Sequence, residues 1–141
     1  MGGASSALGE PLRPVDFLGA WVVDCAGDMP PPYRACAGLW LDCVFADTEE
    51  IPPIYPRLTA LARSLACCLA RTGERCDGWE HPHEPPSRLY VLCAAGLNRS
   101  GLVMGRILRE LGLRGEEALA VITQHRPGAL NNLTFARLVR A

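Results

Sequence analysis

The stretch that decides the fold is "VLCAAGLNRSG", Val91 to Gly101. Apolar residues run into Cys93, cross the small residues Ala94, Ala95 and Gly96, and end in Arg99-Ser100-Gly101. A loop that closes around an oxyanion must turn its backbone N–H groups toward one point. Small side chains and a flexible glycine permit that turn. The helix expected after the loop adds unpaired donors and a positive dipole end. Arg99 offers a planar fork matched to two phosphate oxygens. The same field would hold Cys93 as thiolate, its reactive form. A cysteine six residues before an arginine is common by chance. Adding Gly96 and Ser100 to the pattern lowers the chance expectation to roughly one in four hundred.

Outward from the loop, "RLYVLC" reads as the strand that enters it, and about Ser100 to Leu111 as the helix that leaves it. Upstream, "FLGAWVVDCAGD" and "AGLWLDCVFAD" read as two buried strands, each ending in a polar turn. The prolines of "TEEIPPIYP" cannot continue either element. From Arg57 to about Arg71 the spacing is helical, with Leu58, Leu61, Leu65, Cys68 and Leu69 on one stripe. Residues 73–87 form a polar, Pro-rich loop. Downstream, Glu116 to His125 reads as a helix and "RPGALNN" as a loop. Asn132 is placed to cap a last helix through Phe135 to Val139. The order implies an α/β fold: a single domain with a mostly parallel central sheet flanked by helices. Residues 1–14 read as a flexible leader and 15–141 as the domain.

Composition narrows the function. The chain has 141 residues, 49% hydrophobic and 21% charged, with net charge −1, so no global field draws it to nucleic acid or anionic lipid. All fourteen basic residues are arginine. No segment is long and apolar enough to cross a bilayer, and no secretory signal is visible. The seven cysteines are an odd count whose spacing suggests neither a disulfide framework nor a zinc site, so a reducing, cytoplasmic compartment is expected. Cys76, Asp77, His81, His83 and Glu84 are metal-ligating types, but their spacing fits no zinc pattern. Trp21 and Trp40 are expected in the core, and Trp79 in loop packing.

The segment Cys93-Ala94-Ala95-Gly96-Leu97-Asn98-Arg99-Ser100 resembles the signature loop of cysteine-dependent protein phosphatases, nearest to the dual-specificity branch and its bacterial relatives. "VVDCAGDMP" resembles that family's first core strand and turn. "LDCVFAD" resembles the strand into its general-acid loop, and "HRPGALNNLTF" its C-terminal segment. The resemblance implies a dual-specificity phosphatase-like fold and a phosphomonoester hydrolase working through a phosphocysteine intermediate. Carried over by position, Cys93 is the nucleophile and Arg99 binds the phosphoryl oxygens. The N–H groups of residues 94–99 (Ala94, Ala95, Gly96, Leu97, Asn98 and Arg99) complete the cradle. Ser100 hydrogen-bonds the sulfur. Asp47 is the general acid, with Asp42, Glu49 and Asp28 as competitors. No metal or organic cofactor is required. The partner implied is a phosphorylated protein or small phosphomonoester, with no nucleic acid and no membrane, and the chain is expected to be a monomer.

Two positions depart from the family pattern. Leu92 stands where most members carry histidine, which predicts a less acidic thiol. The loop 73–87 is longer than in many members. The neutral residues inside the loop favour a singly phosphorylated substrate. Competing readings are a rhodanese-like sulfurtransferase, a phosphopeptide-binding pseudophosphatase made plausible by Leu92, and an RNA 5′-phosphatase. Cys25 and Cys43, on neighbouring strands, are the candidate redox partners of Cys93. Arg126 is expected to anchor the C-terminal loop, and Asn132 to brace the phosphate loop as well as cap its helix.

Overall fold

The computed structural model describes residues 12–70 and 88–141. The rest of the expected leader, the loop 73–87, Trp79 and the Cys76–Glu84 group lie outside the described residues. Three strands form one sheet: β1 (Trp21–Asp24), β2 (Leu39–Asp42) and β3 (Leu89–Leu92), in the order β2-β1-β3. Both pairings are parallel, with Trp21 level with Leu39 and with Leu89. A parallel sheet is covered on both faces, which is why the central strand is buried throughout.

The two faces follow the two-residue period of a strand. Trp21, Val23, Val91 and Leu41 face the larger core with the long helices. Val22, Leu92, Trp40 and Tyr90 face a smaller cluster around Phe17. Phe17 ends a short 3-10 turn, Pro14–Phe17, and its ring lies 4.9 Å from that of Tyr90. Trp21 is buried as expected, whereas Trp40 is only half-buried on the smaller side.

The connection between β1 and β2 holds a helix that the sequence reading left unassigned, α1 (Pro31–Cys36). It buries no residue, so it carries no apolar stripe to betray it, and proline at its start supplies the helical φ in advance. The next helix is α2 (Tyr55–Leu69), which buries Leu58, Ala62, Leu65, Ala66 and Cys68. Leu69, expected on that stripe, is exposed at the helix end, where the chain no longer faces the core. Cys67 is disulfide-bonded, against the expectation drawn from cysteine spacing; spacing along the chain does not report which thiols the fold brings together.

Helix α3 (Arg99–Glu110) leaves β3 and packs against α2, α4 (Gly115–His125) and α5 (Leu133–Arg140). Its glycines allow close approach. A Cβ on Gly101 would lie 2.9 Å from Leu130, and one on Gly105 would lie 2.5 Å from Val139. Among the described residues, no helix is long and apolar enough to cross a membrane.

Candidate active site

The carboxyl ends of the three strands lie together, and one residue past each comes a cysteine: Cys25, Cys43 and Cys93. In open α/β sheets this is the end where loops gather into a site. All three face the larger core and are buried. Their chemistry then diverges. Burial pushes the Cys25 thiol well above its ordinary value, and the neighbouring Cys43 and Cys93 add to that. Burial raises Cys43 to about 11, with Arg57 pulling weakly the other way.

Burial also raises Cys93, but here hydrogen bonds to sulfur outweigh it and the thiol ends lower than its usual 9.0. The Ser100 side chain contributes most to the lowering, followed by the backbone N–H groups of Ser100, Leu97 and Gly96. Ser100 Oγ sits 3.3 Å from Cys93 Sγ and is itself fully buried. Donors that favour the charged form are the physical reason one thiol of the row is acidic and two are not.

The loop reaches this shape through Gly96, whose φ of +68° lies in the region that only glycine enters without strain. Its outer side is tied down by the C-terminal segment. Arg126 Nη2 donates to the Ala95 carbonyl at 3.2 Å, the anchoring role expected for this arginine. The Leu130 N–H donates to the Leu97 carbonyl at 3.2 Å. Leu130 makes that bond with φ at +57°, a left-handed conformation costing a leucine about 1–2 kcal/mol. Leu92, where the resemblance leads one to expect histidine, points to the opposite sheet face and is 2% exposed beside Phe17 and Val22. Packing fills that position.

Arg99 opens α3. Its Nη1 donates to the carbonyls of Phe45 (3.3 Å) and Cys25 (3.5 Å), beyond the ends of β2 and β1. The guanidinium is thereby tied to the carboxyl edge of the sheet through these two carbonyls.

The competing carboxylates separate by their partners. Asp42 Oδ1 accepts from Arg34 Nη2 at 2.6 Å, both side chains being exposed. Asp28 is exposed on the turn after β1. Asp24, which the sequence reading passed over, is 2% exposed and caps that turn: its Oδ1 accepts from the N–H groups of Ala26 and Gly27 at 3.0 and 2.9 Å. A short carboxylate accepting from the backbone two and three residues on is the signal that could have marked it.

Asp47 is the one of these that meets the Cys93 loop. Its Oδ2 accepts from Asn98 Nδ2 at 3.0 Å, and its Oδ1 from Asn132 Nδ2 at 2.9 Å. Asn132 also caps α5 as expected, its side chain accepting from Phe135 N–H. Glu49 stays on the loop beyond, its carbonyl accepting from Thr134 Oγ1 at 2.6 Å. A cleft of about 470 Å³ opens here, lined by Asp47, Glu49, Asn98, Asn132, Leu133 and Arg137. Among the described residues no group of His, Cys, Asp and Glu is arranged to hold a metal ion.

A parallel three-stranded sheet, a cysteine loop entering the central helix and a C-terminal helix capped beside that loop make a specific topology. In overall fold the chain is similar to Tk-PTP in its active form, at a TM-score of 0.61 and 21% identity over 89% of this chain and 78% of that one. The fold is that of the dual-specificity phosphatases. Human DUSP28 shares this dual-specificity phosphatase fold at a TM-score of 0.61 and 18% identity, over 88% of this chain and 73% of that one. So does the human tyrosine phosphatase-like serine/threonine/tyrosine-interacting protein, at 0.59 and 16%, over 88% and 75%. No family model and no curated protein matches the chain.

Proposed function

We infer that this chain is a phosphomonoester hydrolase of the protein-tyrosine/dual-specificity type, with residues 15–141 as its catalytic domain. The observation that carries the reading is the placement of Cys93 between the end of β3 and the start of α3, its sulfur 3.3 Å from the buried Ser100 Oγ in a loop turned by Gly96. Hydrogen bonds to that sulfur lower its thiol, whereas burial raises Cys25 and Cys43. A thiolate beneath inward-facing N–H groups is what attack on a phosphate ester needs.

In the first step Cys93 Sγ attacks phosphorus, the S–P bond forms and the ester P–O bond breaks. Asp47 gives its proton to the leaving oxygen. Arg99 and the amides of Ala94, Ala95, Gly96, Leu97, Asn98 and Arg99 hold the non-bridging oxygens, where charge is greatest in the transition state. In the second step Asp47 takes a proton from water, the water oxygen attacks phosphorus, and the S–P bond breaks with Ser100 hydrogen-bonded to the departing sulfur. The products are the alcohol or phenol and inorganic phosphate. The substrate is a phosphorylated protein or small phosphomonoester, with one phosphate because the loop side chains are neutral. The bacterial branch, a monomeric state and independence of metal and nucleic acid complete the proposal.

Wild-type protein is expected to release phosphate from p-nitrophenyl phosphate without added metal. Cys93→Ser is expected to abolish release, and Asp47→Asn to lower kcat on phenyl phosphate by about 10²–10³-fold. A second reading, a phosphopeptide-binding pseudophosphatase, is favoured by the apolar packing of Leu92 and by the neighbour named as phosphatase-like. It predicts Cys93-loop-dependent phosphopeptide binding with no phosphate release between about pH 5 and 8. That result would overturn the hydrolase.

A further inference from the structure

The Asp47 carboxylate is gripped from two sides by groups that the reaction scheme leaves without a task. Asn98 belongs to the phosphate loop, 51 residues from Asp47, and Asn132 to the N-cap of α5, 85 residues away. Each amide's orientation is dictated by a backbone donor. Asn132 Oδ1 accepts from Phe135 N–H, which turns its Nδ2 toward Asp47 Oδ1 (2.9 Å) and the Thr48 carbonyl (2.7 Å). Asn98 Oδ1 accepts from Asn132 N–H at 3.0 Å, which turns its Nδ2 toward Asp47 Oδ2 (3.0 Å) and Asn131 Oδ1 (2.8 Å). Reversing either amide would set oxygen against carboxylate and strand a backbone N–H. The network therefore has one self-consistent arrangement, and in it both amides donate to Asp47.

We propose that the side chains of Asn98 and Asn132 are positioning residues that lock Asp47 over the phosphate loop for proton transfer. This rests on the hydrolase reading above. Asp47 is exposed and sits on a loop with no strand or helix to hold it. An acid so placed would sample many rotamers, and proton transfer requires one of them. Two bonds from two separate segments remove that freedom. Each carboxylate oxygen has two lone-pair directions, and each amide uses one, so a place for the transferable proton remains. Asn98 is covalently part of the loop that would hold phosphate, so the acid is registered directly against the phosphoryl group.

The test uses leaving groups of rising basicity, from p-nitrophenyl to phenyl phosphate. A leaving group that is stable as an anion needs no proton, whereas phenolate does. Asn98→Ala is expected to lower kcat/KM on phenyl phosphate by about tenfold or more while changing p-nitrophenyl phosphate much less. Asn132→Ser keeps a hydroxyl to cap α5 and removes the donor to Asp47, so it is expected to show the same leaving-group dependence in a folded protein. In an Asp47→Asn background neither substitution is expected to add to the loss, because both act through that carboxylate.

Equal losses on all leaving groups, or full additivity with Asp47→Asn, would assign the asparagines to loop structure alone and overturn the inference while leaving the hydrolase reading intact. A wild type that releases no phosphate would overturn both. A wild type whose leaving-group dependence is untouched by Asp47→Asn would remove Asp47 as the acid, and the clamp with it.

Discussion

Gly105→Ala sets two effects of known size against each other at one helix contact. In isolation, alanine in a helix interior is worth about 1 kcal/mol over glycine. Here the added Cβ would lie 2.5 and 2.9 Å from Val139 Cγ2 and Cγ1, and 3.2 Å from its Cβ. Ordinary carbon contacts begin at about 3.5 Å, so the overlap is roughly 1 Å. Val139 is fully buried on α5. Its β-branched side chain has essentially one helical rotamer and cannot swing aside. Overpacking of this kind costs about 1–3 kcal/mol, and the stiff neighbour places it in the upper half of that range. Gly105→Ala should therefore destabilise by about 1–2 kcal/mol net, lowering Tm by about 3–8 °C.

Urea unfolding of a double-mutant cycle with Val139→Ala checks this. Val139→Ala removes both methyls in conflict, so in that background Gly105→Ala should become neutral or stabilising, a coupling of about 1–3 kcal/mol. If Gly105→Ala raises the urea midpoint in the wild-type background, or shifts it equally in both, the close packing of α3 on α5 is refuted. The contact also matters for the site, because α3 begins at Arg99 and α5 is capped by Asn132. Pushing the helices apart would disturb the bond from Asn132 N–H to Asn98.

Four further outcomes are expected. At about pH 8, iodoacetamide should label Cys93 before Cys25 and Cys43, because thiolate is the reacting form and only Cys93 is lowered. Ser100→Ala should move the Cys93 labelling midpoint to higher pH, since it removes a donor that favours the thiolate; peptide mass spectrometry across a pH series reads both, and an unmoved midpoint would discard Ser100 as the cause. Asp24→Ala should cost about 1–3 kcal/mol by denaturant titration, because it leaves the Ala26 and Gly27 N–H groups without their acceptor; a loss near zero would show that the turn stands without it. Asp42→Asn should change stability by less than about 1 kcal/mol, since its pair with Arg34 is exposed. It should also leave aryl phosphate hydrolysis intact, and a large loss of rate would reopen the assignment of the general acid.

Much of this molecule is written in local spacing. The short apolar run Trp21 to Val23, closed by a polar turn, and the helical stripe of Leu58 and Leu65 declare strand and helix, because the length of an apolar run and its spacing are local properties of the chain. The loop from Cys93 to Ser100 is legible for the same reason: small residues, glycine and a helix start are contiguous, so the sequence alone predicts the tight turn at Gly96 and the helix that opens at Arg99. Helix α1 escaped because it buries nothing and so leaves no pattern. The cap at Asn132 and its tie to the Cys93 loop could be read, but its bond to Asp47, 85 residues away, could not.

Tertiary structure decided what contiguity cannot. Three cysteines stand at equivalent strand ends, and the sequence marks Cys93 by its loop without saying which donors reach its sulfur; the Ser100 side chain and the amides of Ser100, Leu97 and Gly96, turned onto that sulfur, separate it from Cys25 and Cys43. Asp42 and Asp47 differ by five positions in one segment, yet one pairs with Arg34 and the other bridges to Asn98 and Asn132. The sequence settles which groups the chain possesses and how each short piece bends. Hydrogen-bond partners 51 and 85 residues apart are chosen by the crossing of the parallel strands and the packing of α5 on α3, and those depend on the whole chain at once.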